Sequence, residues 1–321
     1  MNNNNNSIIV TNLTKKFGKF ISVDNISFEV HEGEVFGFLG ANGAGKSTTI
    51  RMLCGILEPT SGDAIVGGYS INKQPDMIKR QIGYMSQKFS LYNDLTVEEN
   101  INFFSAIYGL SGERLQMRKK WILKIADLEG KEKILSHNLA IGFKQRLALG
   151  CAVIHEPKIV FLDEPTGGVD PISRRGFWEL INNLSENGIT VFITTHYLDE
   201  AEYCNRIMMI DAGKLIAGGS PKELKLNFLK SVILEIECDR VDDAITILDK
   251  SGWVRNAAYF GKFLHATIPS ENGAAGDLDK KISRIRELLT AGNGIEVKRI
   301  DKIIPSLEDV FVNLLEKGEN K

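Results

Sequence analysis

At 321 residues, with 43% hydrophobic and 25% charged residues, the chain is long enough for more than one domain and has ordinary globular composition. A formal net charge of −2 gives no overall drive toward nucleic acid, and none is expected as a partner. No apolar run approaches the ~20 residues that span a bilayer. Cys54, Cys151, Cys204 and Cys238 are scattered without metal-type pairing, so reduced, buried thiols are expected.

Residues 1–6 are an asparagine-rich polar tail, expected to be disordered and unlike a signal peptide. Strands are predicted at 7–12, 25–30 and 34–39, the last followed by a glycine-rich loop and a helix over Ser47–Leu57. Short strands recur near 63–66 and 82–86. From Val97 to His155 the pattern is helical, and Ile101, Phe104, Ser105 and Tyr108 share one face at helical spacing. Strands return at Lys158–Leu162, Ile189–Thr194 and Arg206–Ile210, with a helix between the first two. This alternation implies an α/β fold with a largely parallel, doubly wound sheet, into which 97–155 is a helical insertion.

Composition shifts near Pro221–Lys230. Beyond it, "SVILEIECD", "VDDAITILDK", a hairpin turning at Phe260-Gly261-Lys262, "DLDKKISRIRELL" and "IEVKRID" run in the order β-α-β-β-α-β. That order fits a small α+β ferredoxin-like module, and a helix over Ser306–Leu315 ends the chain. The expected domains are therefore 7–222 and 230–321.

"GANGAGKST" matches G-x-x-x-x-G-K-[ST] between an apolar strand and a helix, which is the context this motif requires. Gly40, Asn42, Gly43, Ala44, Gly45, Lys46, Ser47 and Thr48 are the expected nucleotide-binding set. Backbone N–H groups would cradle phosphate, Lys46 would reach the β- and γ-phosphates, Ser47 would ligate Mg²⁺, and Thr48 would reach the α-phosphate. In "IVFLDEPTGGVDP" a buried strand delivers Asp163 and Glu164 at its C-terminal end. Asp163 can hold Mg²⁺, and Glu164, pointing elsewhere because strand side chains alternate, can polarise an attacking water.

Phe17 in "LTKKFG", Gln87 in "QIGYMSQ", Asp170 in "GGVDP" and His196 in "ITVFITTH" complete an ordered set. Together these residues resemble the nucleotide-binding subunits of ABC transporters over about residues 7–220. The resemblance implies the phosphate-loop cassette of that family: a mostly parallel core sheet, an antiparallel β subdomain and a helical subdomain. It implies that Phe17 stacks on adenine and that Gln87 senses Mg²⁺, the water and the membrane partner. It also implies that His196 contacts the γ-phosphate and that Asp170 works across a dimer interface.

The family commonly places Leu-Ser-Gly-Gly-Gln where this chain has Leu139, Ala140, Ile141, Gly142 and Phe143. Leu139, Ala140 and Gly142 would form a wall against the nucleotide of a neighbouring subunit. Ala140 offers no hydroxyl, while Gly142 keeps its N–H and the positive end of a helix starting there. "QKFSLYNDLTVEENINFFSAIYGL", "GVDPISRR" and "PSLEDVFVNLL" resemble ATPases of drug-efflux and related export systems.

One phosphate loop and one Asp-Glu pair imply a second ATP-binding chain, a homodimer being the simplest arrangement and a heterodimer the other. The resemblance also implies ATP hydrolysis coupled to a separate membrane permease, with the chain on the cytoplasmic side of the membrane. The insertion after Gln87 is the expected contact, with Phe89, Tyr92, Leu95, Phe103 and Phe104 supplying apolar surface, most of it core. The competing expectation is a cassette ATPase of translation or repair. Those members carry two cassettes or a long coiled coil, and this chain has neither.

Overall fold

A computed structural model describes residues 6–87, 91–227, 231–269, 275–291 and 293–319. Phe89 and residues 1–5 of the asparagine-rich tail lie outside the described residues. The described residues divide into two compact units between Pro221 and Lys222.

In the first unit β1 (Asn6–Phe17) and β2 (Phe20–His31) pair as a long antiparallel hairpin. β3 (Val35–Leu39) leads into α1 (Lys46–Leu53). β4 (Ser61–Val66) and β5 (Tyr69–Ser70) extend the hairpin into a sheet ordered β2-β1-β4-β5. α2 (Pro75–Gln81) then feeds β6 (Ile82–Met85). Next come α3 (Val97–Ile107), α4 (Gly112–Ile125) and α5 (Ile141–Ala152). β7 (Ile159–Asp163), α6 (Pro171–Glu186), β8 (Thr190–Thr195), β9 (Arg206–Asp211) and β10 (Lys214–Gly219) follow.

The second sheet is ordered β10-β9-β3-β8-β7-β6, all parallel except the edge strand β10. β3, β7 and β8 are buried at every residue, as strands covered on both faces must be. Phe28 of β2 packs among Phe36, Phe38 and Phe192 with ring centroids 5.5 to 6.2 Å apart, joining the two sheets through aromatic surface. Because β3, β8, β7 and β6 are parallel neighbours, their C-terminal ends open on one edge.

Local differences from the sequence reading have local causes. α1 stops at Leu53 rather than Leu57, because the N–H groups of Ile56 and Leu57 both return to the Arg51 carbonyl. α2 buries only Ile78 and so carries no apolar periodicity, although Pro75 marks its first turn. β10 is a partly exposed edge strand. α3 begins with a Thr96–Glu99 capping box and buries Val97, Asn100, Ile101 and Ser105, a face centred on an asparagine rather than on Phe104 and Tyr108.

In the second unit α7 (Pro221–Asn227) precedes β11 (Ser231–Cys238), α8 (Val241–Lys250), β12 (Asn256–Phe260) and β13 (Phe263–Pro269). α9 (Ala275–Thr290), β14 (Val297–Ile303) and α10 (Leu307–Glu319) complete it. The antiparallel order β12-β13-β11-β14 on a β-α-β-β-α-β path is the split β-α-β arrangement. All four cysteines are free and buried. Among the described residues no helix is long and apolar enough to cross a membrane.

The "PSLED" run builds the end of this unit. Ser306 Oγ accepts from the Asp309 N–H at 3.1 Å, and Asp309 Oδ2 accepts from the Ser306 N–H at 2.8 Å. Asp309 Oδ1 lies 2.8 Å from His265 Nδ1 on β13, whose Nε2 lies 3.5 Å from Glu235. Glu235 in turn accepts from Arg299 at 2.6 Å, and Phe260 stacks on the imidazole at 4.1 Å.

Burial opposes the charge on His265, but Asp309 and Glu235 outweigh it and hold the pKa above the ordinary histidine value. A histidine with a raised folded pKa stabilises fully below its unfolded pKa and loses that contribution as pH rises through the folded value. Thermal melts of the full chain from about pH 6 to about pH 9 should therefore show falling stability. His265→Ala should remove that slope and cost about 1.5–3 kcal/mol.

Candidate nucleotide site

The phosphate loop joins β3 to α1. Gly45 caps α1 at φ 109°, and a Cβ there would sit 2.5 Å from the Ser22 carbonyl oxygen, so only glycine fits. The first N–H groups of α1 precede any i−4 acceptor and stay available to an anion. β2 closes over this turn, and Ser22 Oγ lies 2.9 Å from Thr48 Oγ1. The same hairpin carries Phe17, half exposed at its tip opposite Phe20, with the Lys15 ammonium 5.2 Å from its ring centre. Asn42 and Gly43 are exposed in the loop and Ala44 is buried.

Lys46 is buried and folded back on its own loop, donating to the Gly40 and Ala41 carbonyls at 2.9 and 3.1 Å. Its ammonium also pairs with Glu164 Oε1 at 3.1 Å. Glu164 stands just beyond β7 at φ 48°, a left-handed conformation for a non-glycine residue. Its N–H reaches the Thr194 carbonyl at 3.2 Å and Thr194 Oγ1 at 3.0 Å. The other carboxylate oxygen meets Gln87 Nε2 at 3.1 Å and His196 Nδ1 at 3.2 Å. The ends of β3, β8 and β6 thus deliver Lys46, His196 and Gln87 to the Glu164 carboxylate at the end of β7, at the edge where open parallel sheets bind ligands.

Asp163 points the other way. Its Oδ1 accepts from Ser47 Oγ at 3.0 Å and from Thr194 Oγ1 at 2.8 Å. Burial raises its pKa despite those two hydroxyls. A buried carboxylate converging with a hydroxyl is a hard-oxygen donor set, and a divalent cation there would offset the burial cost, so the residues fit Mg²⁺.

Leu139, Ala140, Gly142 and Asp170 form a second group. α5 starts at Ile141 with Ala140 as its cap, and no side chain caps it. Gly142 packs on the first turn of α6, where an added Cβ would sit 2.8 Å from Ser173 Cβ. Asp170 caps α6, accepting from Ile172 and Ser173 N–H at 3.1 and 2.9 Å, and the bonds from Ser173 foremost hold its pKa down. Leu139 is buried, but Ile141 and Ile172 are 38% and 85% exposed, so two helix N-termini stand side by side with apolar residues turned outward.

Residues 23–167 match the family model described as ABC transporter. The linearmycin resistance ATP-binding protein of Bacillus subtilis is 34% identical over 305 residues, which cover 94% of this chain and 96% of that protein. The chain belongs to the ATP-binding subunits of ABC transporters.

A probable multidrug ABC transporter ATP-binding protein of Escherichia coli K12 is 55% identical over 216 residues. The match covers 66% of this chain but only 37% of that relative's length. A solved dimeric ATP-binding cassette in a post-hydrolysis state, bound to ADP and Pi, superposes with a TM-score of 0.61 at 27% identity. That superposition covers 66% of this chain and 98% of the solved one.

The cassette holds residues that the sequence reading passed over. Thr194 orders both acids, Ser22 meets Thr48, and the buried Glu200 accepts from Thr195 Oγ1 at 2.7 Å beside the His196 turn. Arg174 of α6 stacks on Tyr197 at 4.4 Å and lies 3.4 Å from Glu200, tying the helix capped by Asp170 to the loop of His196. The polar ending of "FITTH" on an apolar strand was the available signal for Thr194 and Thr195.

Gly142→Ala should force α5 away from α6 and destabilise the cassette by about 1–3 kcal/mol in denaturant melts. Ser173→Gly in the same chain should recover most of that loss, and a non-interacting pair in the double-mutant cycle would contradict the packing.

Proposed function

We propose that this chain binds and hydrolyses ATP as one half of a two-cassette sandwich and drives a separate membrane permease that exports drugs or other small molecules. The observation that carries the reading is the Glu164 carboxylate, ringed by Lys46, Gln87 and His196 beside the Ser47–Asp163 oxygen pair.

The triphosphate enters over the N–H groups of Gly43–Thr48, and its adenine stacks on the exposed Phe17 ring. The γ-phosphate takes Lys46 from Glu164, which remains against Gln87 and His196. Glu164 then accepts a proton from the attacking water. His196, held against Glu164 through Nδ1, contacts the γ-phosphate with the rest of its ring. Ser47 and Asp163, with Gln87, would hold Mg²⁺, which when bound would supply charge neutralisation to the triphosphate.

The second subunit presents Ala140, Gly142 and Asp170 over that phosphate and excludes water. Exposed Ile141 and Ile172 beside those residues support a face that another chain covers. The post-hydrolysis relative's dimer supports the sandwich, and the multidrug and linearmycin-resistance relatives support export.

Tyr92 and Phe103, 4.5 Å apart edge to face, and the exposed Ile107 and Met117 give the helical insertion an apolar surface for the permease. This surface supports a peripheral position on the cytoplasmic face of the membrane.

Glu164→Gln should keep ATP binding while turnover falls about 10²–10⁴-fold, with ATP-dependent dimers accumulating. Unchanged turnover would remove Glu164 from the proposed role. Ala140→Ser should raise turnover by less than the about tenfold or more that one effective bond to a charged acceptor would give, because α5 already offers its N-terminal N–H groups. A larger rise in a steady-state assay would mean the native wall lacks an essential donor.

A further inference from the structure

Asn100 and Ser136 are both fully buried polar residues in the helical insertion, and they are hydrogen-bonded to each other. A buried amide costs stability unless its groups are satisfied, and here satisfaction joins separate segments. Asn100 Nδ2 lies 3.0 Å from the Tyr92 carbonyl, 3.3 Å from Leu95, 3.0 Å from Thr96 and 2.8 Å from Ser136 Oγ. Its Oδ1 accepts from the Tyr92 N–H at 2.9 Å. One side chain therefore fixes the loop Leu91–Thr96, which follows Gln87, against a segment 36 residues further on.

That segment runs directly into the wall of the second site. The Ser136 N–H donates to the Leu95 carbonyl at 2.9 Å, and His137 N–H to Asn93 at 3.2 Å. The Ser136 carbonyl accepts from Leu139 at 3.2 Å, and the His137 carbonyl from Lys144 Nζ on α5 at 3.0 Å. Tyr92 at the other end packs on Phe103 at the exposed apolar surface.

We propose that Asn100 and Ser136 are positioning residues: they hold the loop after Gln87 and the start of α5 as one body. The backbone N–H groups of Ile141 and Gly142 then meet the partner's nucleotide in a fixed orientation. The proposal rests on the two-cassette reading above. It also accounts for a wall that works without a serine, because backbone donors are only as well aimed as the segment that carries them.

The test uses the full chain carrying Glu164→Gln, with ATP-dependent dimerisation followed by sedimentation. Mg-ATP affinity is measured on the same samples, diluted until they are monomeric. Asn100→Asp sets a carboxylate against three carbonyls, and Ser136→Ala removes one hydroxyl with no new charge. Each should weaken ATP-dependent dimerisation about tenfold or more while monomer Mg-ATP affinity stays within about twofold.

A general structural defect would lower both together and would overturn the proposal, as would dimerisation equal to the parent's. A Glu164→Gln parent that does not dimerise at all overturns the sandwich reading and this proposal with it. If Asn100→Asp does not fold, Ser136→Ala decides alone.

Discussion

Everything in the nucleotide site depends on how one carboxylate is held. Glu164 sits in a left-handed backbone conformation that costs a non-glycine residue about 1–2 kcal/mol. The Thr194 bonds to its N–H, the Lys46 ammonium, Gln87 and His196 together hold that geometry. The partners come from the ends of three parallel strands around β7, with Thr194 and His196 both at the end of β8, so the arrangement requires the strand order β3-β8-β7-β6 and the all-buried strands that maintain it. The aromatic contact between Phe28 and the β3 and β8 phenylalanines sets the hairpin, and through Ser22 the phosphate loop, on the same frame.

Lys46 is held by two carbonyls of its own loop and by Glu164. In the proposed mechanism, the lysine that would meet the γ-phosphate and the carboxylate that would take the water's proton thus pair with each other. In that proposal an incoming phosphate separates them, since an ammonium prefers the more highly charged, better-fitted acceptor. The second group, around Ala140 and Asp170, has the opposite character. It consists of two helix N-termini facing outward, with Asp170 committed to capping α6 and Ala140 capping nothing. Its available chemistry lies in N–H groups and helix dipoles, which in the proposed sandwich would meet the partner's nucleotide.

Much of this was legible in the sequence, for physical reasons. Apolar runs such as "IVFLD" and "VFGFL" can only be strands covered on both faces, and motif residues placed just after them must share the carboxyl edge of a parallel sheet. The order of Phe17, Lys46, Gln87, Asp163, Glu164, Asp170 and His196 therefore carried most of the architecture. The structure brings Lys46, Gln87, Glu164 and His196 into direct contact, Ser47 onto Asp163, and Gly142 beside the helix that Asp170 caps. Their catalytic and binding roles follow from the reading proposed above.

Contacts between residues far apart in sequence were not legible. Nothing in "VEENINFF" marks Asn100 as the centre of a buried network, because an asparagine on a helix usually faces solvent. Nothing local reveals that Ser22 reaches Thr48 or that Arg174 reaches the His196 turn. Short elements with little burial, α2 and β10, leave no periodic trace. The second unit was read from its β-α-β-β-α-β order alone. Its His265–Asp309 contact, closing the "PSLED" helix onto the sheet, required the fold.

The exchange at Lys46 is the centre of this account, and a crystal structure of the chain with Mg²⁺ and a non-hydrolysable ATP analogue tests it most directly. The account predicts Lys46 Nζ on the terminal phosphates, away from the Gly40 and Ala41 carbonyls and from Glu164, with Glu164 still against Gln87 and His196. A Lys46–Glu164 pair that persists with the triphosphate bound in the loop would contradict it.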